Sequence, residues 1–286
     1  MARLFGMLGN RPDLGPRAFA FESEPLRARA KAGQAGPMGW GLGFYQGGEV
    51  LMRRRPIDDR PEIDVAKLAA DVRADVVIGH VRAATVGGLR TENTHPFRYR
   101  QWIFAQTGTV AQFDQVRDRL LASVPEFLRG GIRGETDSEL LFHVFLSFLH
   151  DSGRLNDGVG DPGPVRDALR SSLAVVDGMT AEVGGEPADL NLLATNGDFV
   201  VAVSRARDAA STGREMRYRV FAGKNDAEML IGDDAQLRRK TPELAHMHIA
   251  LIASDFDEAP PARWKPVAEH AIVTMTRGQD PHIEKL

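Results

Sequence analysis

Cysteine is absent from all 286 residues of the sequence. This absence excludes disulfide bonds, metal sites built from thiolates and any cysteine nucleophile. The sequence also lacks an apolar run long enough to cross a bilayer, and it carries Arg3, Gly6, Asn10 and Arg11 where a signal peptide would need an apolar stretch. We therefore expect a cytoplasmic protein with no membrane partner.

A strong excess of charge of either sign is also missing. The chain has 36 Lys and Arg residues against 39 Asp and Glu residues, a formal net charge of -3, which gives no general attraction to nucleic acid. Two basic clusters, Arg53-Arg54-Arg55 and residues 214–219, are predicted to be solvated edges. No phosphate loop, dinucleotide motif or internal repeat is present, so the sequence predicts neither a cofactor nor a nucleic-acid partner.

What is present is an ordinary globular composition, with 43% hydrophobic and 26% charged residues. Short apolar runs alternate irregularly with amphipathic helical patterns, which favours an α+β fold in a single domain over residues 1–286. The main predicted elements are strands at 2–8, 39–45, 75–82, 102–105, 229–231 and 246–253, helices at 111–121, 137–149 and 165–176, and a hairpin turn at 196–198.

Two histidines are candidate metal ligands. His246 and His248 would alternate on one face of the predicted strand 246–253. Two ligands without a third acid or histidine nearby make a weak metal site. We therefore predict no bound metal.

Four segments carry the most specific signal. They are residues 80–87 (HVRAATVG), 92–97 (ENTHPF), 104–110 (FAQTGTV) and 134–139 (GETDSE). In this order and spacing they resemble the class II glutamine amidotransferases, and among them the compact single-domain type. Residues 39–41 (GWG) and 252–255 (IASD) resemble two further segments of that family. The resemblance implies the N-terminal nucleophile hydrolase fold, a four-layer αββα sandwich of two antiparallel sheets between helices.

The same resemblance implies a reaction that this chain lacks the residues to perform. In the family, removal of the initiator Met exposes a cysteine whose thiolate attacks the glutamine side-chain amide. Here that position holds Ala2. The family's His-Asn-Gly, which supplies the oxyanion hole, is replaced by Gln106-Thr107-Gly108. Thr107 offers a shorter hydroxyl in place of an amide, and loss of one such donor costs roughly a hundredfold to a thousandfold in rate.

The residues that would hold an amino acid are present. Arg82 ends a predicted core strand, where a guanidinium needs acceptors, and a structural ion pair would meet that need. The resemblance implies instead that Arg82 binds an α-carboxylate, that Asp137 binds an α-ammonium group and that Thr85 assists with its hydroxyl. Asp137 follows Thr136 in a capping-box pattern with Glu139, which predicts a helix start that favours an anion.

These observations lead to three functional hypotheses. The first is a catalytically inactive amidotransferase-like protein that binds glutamine, glutamate or a γ-glutamyl compound as a sensor, scaffold or regulatory partner of another protein. The second is a glutamine amidotransferase or glutaminase that carries an engineered Cys-to-Ala change at position 2. The third is an interaction protein without a small ligand. Several independent departures from the family pattern favour natural divergence over a single engineered change.

Overall fold

The structure is a computed structural model that describes residues 2–29, 38–83, 87–156, 160–209, 213–240 and 244–286. Thr85 lies outside the described residues. The strands, in chain order, are β1 Arg3–Gly9, β2 Ala28–Arg29, β3 Gly39–Gln46, β4 Glu49–Arg55, β5 Glu62–Ile63, β6 Val76–Arg82, β7 Phe97–Tyr99, β8 Trp102–Thr109, β9 Asp189–Thr195, β10 Phe199–Arg205, β11 Arg217–Ala222, β12 His248–Ser254, β13 Lys265–Pro266, β14 Ala271–Thr276 and β15 His282–Lys285.

The helices flank these strands on both sides. They are α1 Gly15–Phe21, α2 Ser23–Leu26, α3 Val65–Leu68, α4 Phe113–Ser123, α5 Glu126–Arg129, α6 Asp137–Asp151, α7 Gly163–Glu182, α8 Gly223–Ile231 and α9 Ala235–Lys240, with short 3-10 turns at Thr91–Asn93 and Leu244–His246. No helix in the described ranges is both long enough and apolar enough to span a bilayer.

Two large antiparallel sheets form the centre of the fold. One has the strand order β13-β11-β12-β1-β6-β3-β4, and the other has the order β15-β14-β10-β9-β8-β7. A small third sheet pairs β2 with β5. Because β1 lies between β12 and β6, its first residues are enclosed by strands on both sides.

Three hydrophobic clusters separate four layers. Leu4, Ile78, Ile103 and Leu193 belong to the cluster between the two sheets. A second cluster joins the seven-stranded sheet to α1, α3 and α8, and a third joins the six-stranded sheet to α4, α6 and α7. The alternation of side chains along each strand therefore buries both faces of both sheets. This arrangement confirms the predicted α+β fold with helices outside two antiparallel sheets.

One predicted strand is wrong, and another begins two residues later than predicted. Residues 229–231 complete helix α8, in which Ala227, Leu230 and Ile231 are buried on one side. His246 ends a 3-10 turn, and the strand begins only at His248. The two histidines therefore do not alternate on one strand, and His248 Nε2 instead lies 3.1 Å from Asp280 Oδ1.

The start of α6 confirms half of the predicted capping box. Thr136 Oγ1 accepts a hydrogen bond from the Glu139 amide at 3.2 Å. The Glu139 carboxylate does not return to the Thr136 amide but accepts the amides of Arg133 and Gly134 at 2.9 and 2.7 Å. These three hydrogen bonds fix the turn that leads into the helix, so they also fix the position of Asp137.

Candidate functional site

A cavity of about 300 Å³ opens where the first residues of β1, the ends of β6 and β8 and the start of α6 meet. Its wall includes Ala2, Arg82, Thr107, Gly108 and Asp137. These are the site residues that the sequence predicted, apart from Thr85, and they come from distant parts of the chain. The structure therefore brings the predicted positions together around one space.

Arg82 is the last residue of β6 and is buried. Its Nη2 donates to the Gly87 carbonyl at 2.9 Å, and its Nη1 donates to the Gly88 carbonyl at 3.0 Å. These two backbone carbonyls orient the guanidinium. A guanidinium has five N–H donors in a planar fork, so this geometry is compatible with a carboxylate ligand as well.

Asp137 is the first residue of α6 and is also buried. One oxygen accepts the Val110 amide at 2.8 Å, and the other accepts the Ser138 amide at 2.8 Å. Burial raises the pKa of Asp137, while these amide hydrogen bonds act in the opposite direction. The Ser138 hydroxyl also donates to the same oxygen as the Ser138 amide, at 3.3 Å, so Oδ2 is the oxygen with a further lone pair for a cationic ligand group.

Thr107 does not present a donor to the cavity in the way an oxyanion site requires. Its hydroxyl donates to Asp255 Oδ1 at 3.3 Å, while Asp255 Oδ2 accepts the Ser254 hydroxyl at 2.6 Å. Asp255 is buried directly after β12 and has a φ of 64°, a left-handed conformation that is uncommon for residues other than glycine. Burial raises the pKa of Asp255. A carboxyl group thus occupies the hydrogen bond that an oxyanion would need.

Gly108 lies against Arg214, a residue that sequence reasoning misplaced. Gly108 has a φ of 100°, and a Cβ there would lie 2.2 Å from the Asp189 carbonyl oxygen and 2.6 Å from Arg214 Nη2. Any side chain at position 108 would therefore collide with both groups. Arg214 lines the cavity, and the side chains of Arg214, Arg217 and Arg219 are only 22%, 22% and 19% exposed, so the prediction that cluster 214–219 is a solvated edge is wrong.

The deeper wall of the cavity is polar but uncharged. His80 and His95 are buried with ring centroids 4.5 Å apart, and Gln106 is buried beside them in the lining. Burial, followed by the charge of Arg82, lowers the pKa of His80 to about 3, and burial is also the main cause that lowers the pKa of His95 well below its ordinary value. Both imidazoles are therefore neutral near pH 7.

The Gly39-Trp40-Gly41 segment of β3 lies against the backbone of this wall at His95. A Cβ on Gly41 would lie 2.1 Å from the His95 carbonyl oxygen, so β3 must carry glycine for the two backbones to approach. Trp40 Nε1 donates to Asp58 Oδ2 at 2.9 Å, which anchors the indole away from the cavity. Close backbone approach therefore explains the glycine at position 41.

Comparison with known proteins shows which family this chain matches. The family model of the class II glutamine amidotransferases matches residues 1–284. The probable glutamine amidotransferase DUG3 of Saccharomyces cerevisiae is 31% identical over 160 residues, which is 52% of this chain and 45% of that protein. The putative glutamine amidotransferase YafJ of Escherichia coli is 32% identical over 153 residues, 50% of this chain and 52% of that protein. The matches thus span about half the length of these curated relatives.

Solved structures show the same fold at low sequence identity. A glutamine aminotransferase class-II domain protein from Silicibacter pomeroyi has a TM-score of 0.58 at 16% identity and covers 99% of this chain and 98% of its own. The glutamine phosphoribosylpyrophosphate amidotransferase of Bacillus subtilis has a TM-score of 0.53 at 15% identity and covers 99% of this chain and 49% of its own. Identities this low support the fold alone.

Proposed function

The chain belongs to the class II glutamine amidotransferases, and from this premise we propose that it is an inactive member that binds an amino acid without hydrolysing it. The ligand is glutamine, glutamate or a γ-glutamyl compound, and the protein acts as a sensor, scaffold or regulatory partner. The observation that carries the proposal is the meeting of Arg82, Asp137 and Ala2 on one cavity wall. Two charged groups suited to an α-amino acid stand there beside a methyl group.

The charges of the site support zwitterion binding. Arg82 is oriented by two carbonyls and Asp137 by two amides, so backbone dipoles hold both side chains in place. A ligand with an α-carboxylate and an α-ammonium would add a charge-assisted hydrogen bond at each. The cavity of about 300 Å³ lies at the lower end of the range for small-molecule pockets, which suits a single amino acid or a short conjugate.

The reaction side of the site supports the absence of hydrolysis. Ala2 has no atom that can attack a carbonyl, and the Thr107 hydroxyl donates to Asp255. Both the nucleophile and one oxyanion donor are thus missing in the same place. Restoring only the nucleophile, or only the oxyanion donor, would leave the reaction without the other group.

Calorimetry on the native chain tests the proposal. We expect heat on titration with glutamine or glutamate and no ammonia release from glutamine in the same preparation. Asp137→Asn should weaken amino-acid binding by about 2 to 5 kcal/mol, because the asparagine carries no charge and its single oxygen can accept only one of the Val110 and Ser138 amides. Asp151→Asn is the matched control, since Asp151 ends the same helix with its side chain 69% exposed.

Each other outcome identifies one of the alternatives. Ammonia release by the native chain would overturn the proposal and indicate an active enzyme. Absence of heat with glutamine, glutamate and γ-glutamyl compounds would favour an interaction protein with no small ligand. Equal binding by the wild type and Asp137→Asn would show that the amino acid binds elsewhere.

A further inference from the structure

A cluster of three charged side chains borders the Thr107 and Gly108 side of the cavity and has no part in the proposed recognition of the α-carbon groups. Arg214 Nη1 donates to Asp189 Oδ1 at 2.9 Å, and Arg214 Nη2 donates to the Asp189 carbonyl at 3.2 Å. Arg214 Nε lies 3.5 Å from Asp255 Oδ1. One guanidinium therefore faces two carboxyl groups. We call Arg214, Asp189 and Asp255 the charge cluster.

The backbone holds this cluster in position. The Arg214 carbonyl accepts Asn191 Nδ2 at 2.7 Å, and the Arg214 amide donates to the Ala209 carbonyl at 2.9 Å. Asp189 Oδ1 also accepts the Arg207 amide at 3.0 Å, and Asp255 is fixed by the hydroxyls of Ser254 and Thr107. The Arg214 guanidinium cannot turn to a new partner without breaking its contacts with Asp189 and Asp255.

The electrostatic consequence concerns the side chain of a bound amino acid. Arg214 is the second cation on the cavity wall after Arg82, and its position beside Gly108 would at first suggest a partner for a γ-carboxylate. Its charge is already offset by Asp189 and Asp255. Even when Asp255 holds a proton, Asp189 alone cancels it. The neighbouring wall of His80, His95 and Gln106 adds donors and acceptors but no charge.

We propose that the charge cluster sets side-chain specificity, so that the site accepts an uncharged hydrogen-bonding side chain such as a carboxamide and rejects a carboxylate. This inference rests on the proposed function. A γ-carboxylate would lose its hydration at a wall without net positive charge, which is costly, whereas a carboxamide carries both donor and acceptor groups for a neutral wall. Asp189 is the specificity-determining residue of the cluster, because its loss would expose the charge of Arg214 to the ligand.

Calorimetry with glutamine and glutamate on three proteins tests this inference. For the wild type we expect glutamine to bind at least about tenfold more tightly than glutamate. For Asp189→Asn we expect that ratio to fall by roughly threefold to tenfold, mainly through tighter glutamate binding, because the pair is 22% and 28% exposed and partly screened by solvent. Glu186→Gln is the control, since it removes one negative charge from an exposed side chain that pairs with Arg207 outside the cavity.

Arg214→Gln gives a second test, in which the ratio of glutamine affinity to glutamate affinity should change in the opposite direction. It removes the cation that pairs with Asp189 and leaves Arg3 as the remaining cationic neighbour of Asp255, so the ratio of glutamine affinity to glutamate affinity should move further towards glutamine. Equal binding of glutamine and glutamate by the wild type would overturn the inference, and so would an unchanged ratio in folded Asp189→Asn. Both results leave amino-acid binding itself intact. If neither amino acid binds the wild type, the proposed function fails and the inference falls with it.

Discussion

The charged side chains on the two sides of the cavity have different hydrogen-bond partners. On the amino-acid side, defined by Arg82 and Asp137, Arg82 donates to two backbone carbonyls, and Asp137 accepts two backbone amides and the Ser138 hydroxyl. On the reaction side, defined by Ala2, Thr107 and Gly108, the neighbouring charged groups bond one another, since Arg214 pairs with Asp189 and Asp255. Backbone carbonyls and amides orient a charged side chain through their dipoles, whereas a carboxylate beside a guanidinium offsets its charge.

Under the proposed function, this difference separates the groups that bind the amino acid from the groups that the reaction needs. A class II amidotransferase must hold the amino acid at one side and stabilise a developing negative charge at the other. Here the amino-acid side retains Arg82 and Asp137, the two charged groups that the proposal assigns to amino-acid binding. The second side holds a methyl group at position 2 and a threonine hydroxyl that donates to a buried acid. Binding and chemistry depend on separate residues, so one can be lost while the other stays.

The largest expected effect comes from rebuilding the reaction side. We expect Ala2→Cys alone to release almost no ammonia from glutamine, because the Thr107 hydroxyl remains bonded to Asp255. Adding Thr107→Asn should raise the rate by about a hundredfold to a thousandfold, which corresponds to about 2.7 to 4 kcal/mol in the barrier, by returning an oxyanion donor. Steady-state ammonia release measures both variants.

Two controls keep this comparison strict. Thr107→Asn without the cysteine must stay inactive, because no nucleophile is present. If Ala2→Cys alone turned over glutamine at a rate that Thr107→Asn did not improve, the oxyanion site would be intact as it stands. The contrast between the two sides of the cavity would then be wrong, and the second hypothesis, an enzyme with a replaced cysteine, would gain support.

Much of the amino-acid side was predictable because its signals are local. A continuous apolar run predicted β6 and placed Arg82 at its end, and a capping pattern predicted the start of α6 and hence the place of Asp137. The resemblance then placed these two residues near Ala2. Each of these inferences needs only a short stretch of chain.

The reaction side was less predictable because its contacts join distant segments. Thr107 meets Asp255 across 148 positions, and Arg214 meets Asp189 across 25. Arg214 begins a basic run that is typical of a solvated edge, and no local pattern distinguishes it from its neighbours. Residues 252–255 did resemble a family segment, but the hydrogen bond from Thr107 to Asp255 follows only from how β8 and β12 pack.

The next effect in size concerns the neutral wall of His80 and His95, which lies beneath both sides. Burial lowers the pKa of His80 from 6.5 to about 3 and moves the pKa of His95 in the same direction. The unfolded chain therefore binds more protons than the folded chain below pH 6.5. The stability that depends on a neutral His80 is complete above that pH and is lost as pH falls towards 3, by about 1.4 kcal/mol per pH unit, and His95 acts in the same direction.

Chemical denaturation between pH 7 and pH 4.5 measures this slope. Asp137 and Asp255, whose pKa values burial raises, act in the opposite direction, so the useful quantity is the difference between wild type and variant. His95→Gln should have a shallower loss of stability on acidification, whatever its stability at pH 7. His282→Gln is the control, because that side chain is 69% exposed. Parallel slopes for all three proteins would show that the buried rings do not titrate on unfolding.

The smallest expected effect tests how the amino-acid side is positioned. Thr136→Ala removes the hydroxyl that accepts the Glu139 amide at 3.2 Å and should lower the free energy of unfolding by about 1 kcal/mol. Since Asp137 follows this cap directly, amino-acid affinity should fall as well, while Thr136→Ser, which keeps the hydroxyl, should restore both. If Thr136→Ala lost stability but bound amino acids like the wild type, the two amides of Val110 and Ser138 would be sufficient to position Asp137. Asp137 would then be positioned by its own hydrogen bonds to Val110 and Ser138, which sharpens the contrast with the paired charges around Arg214.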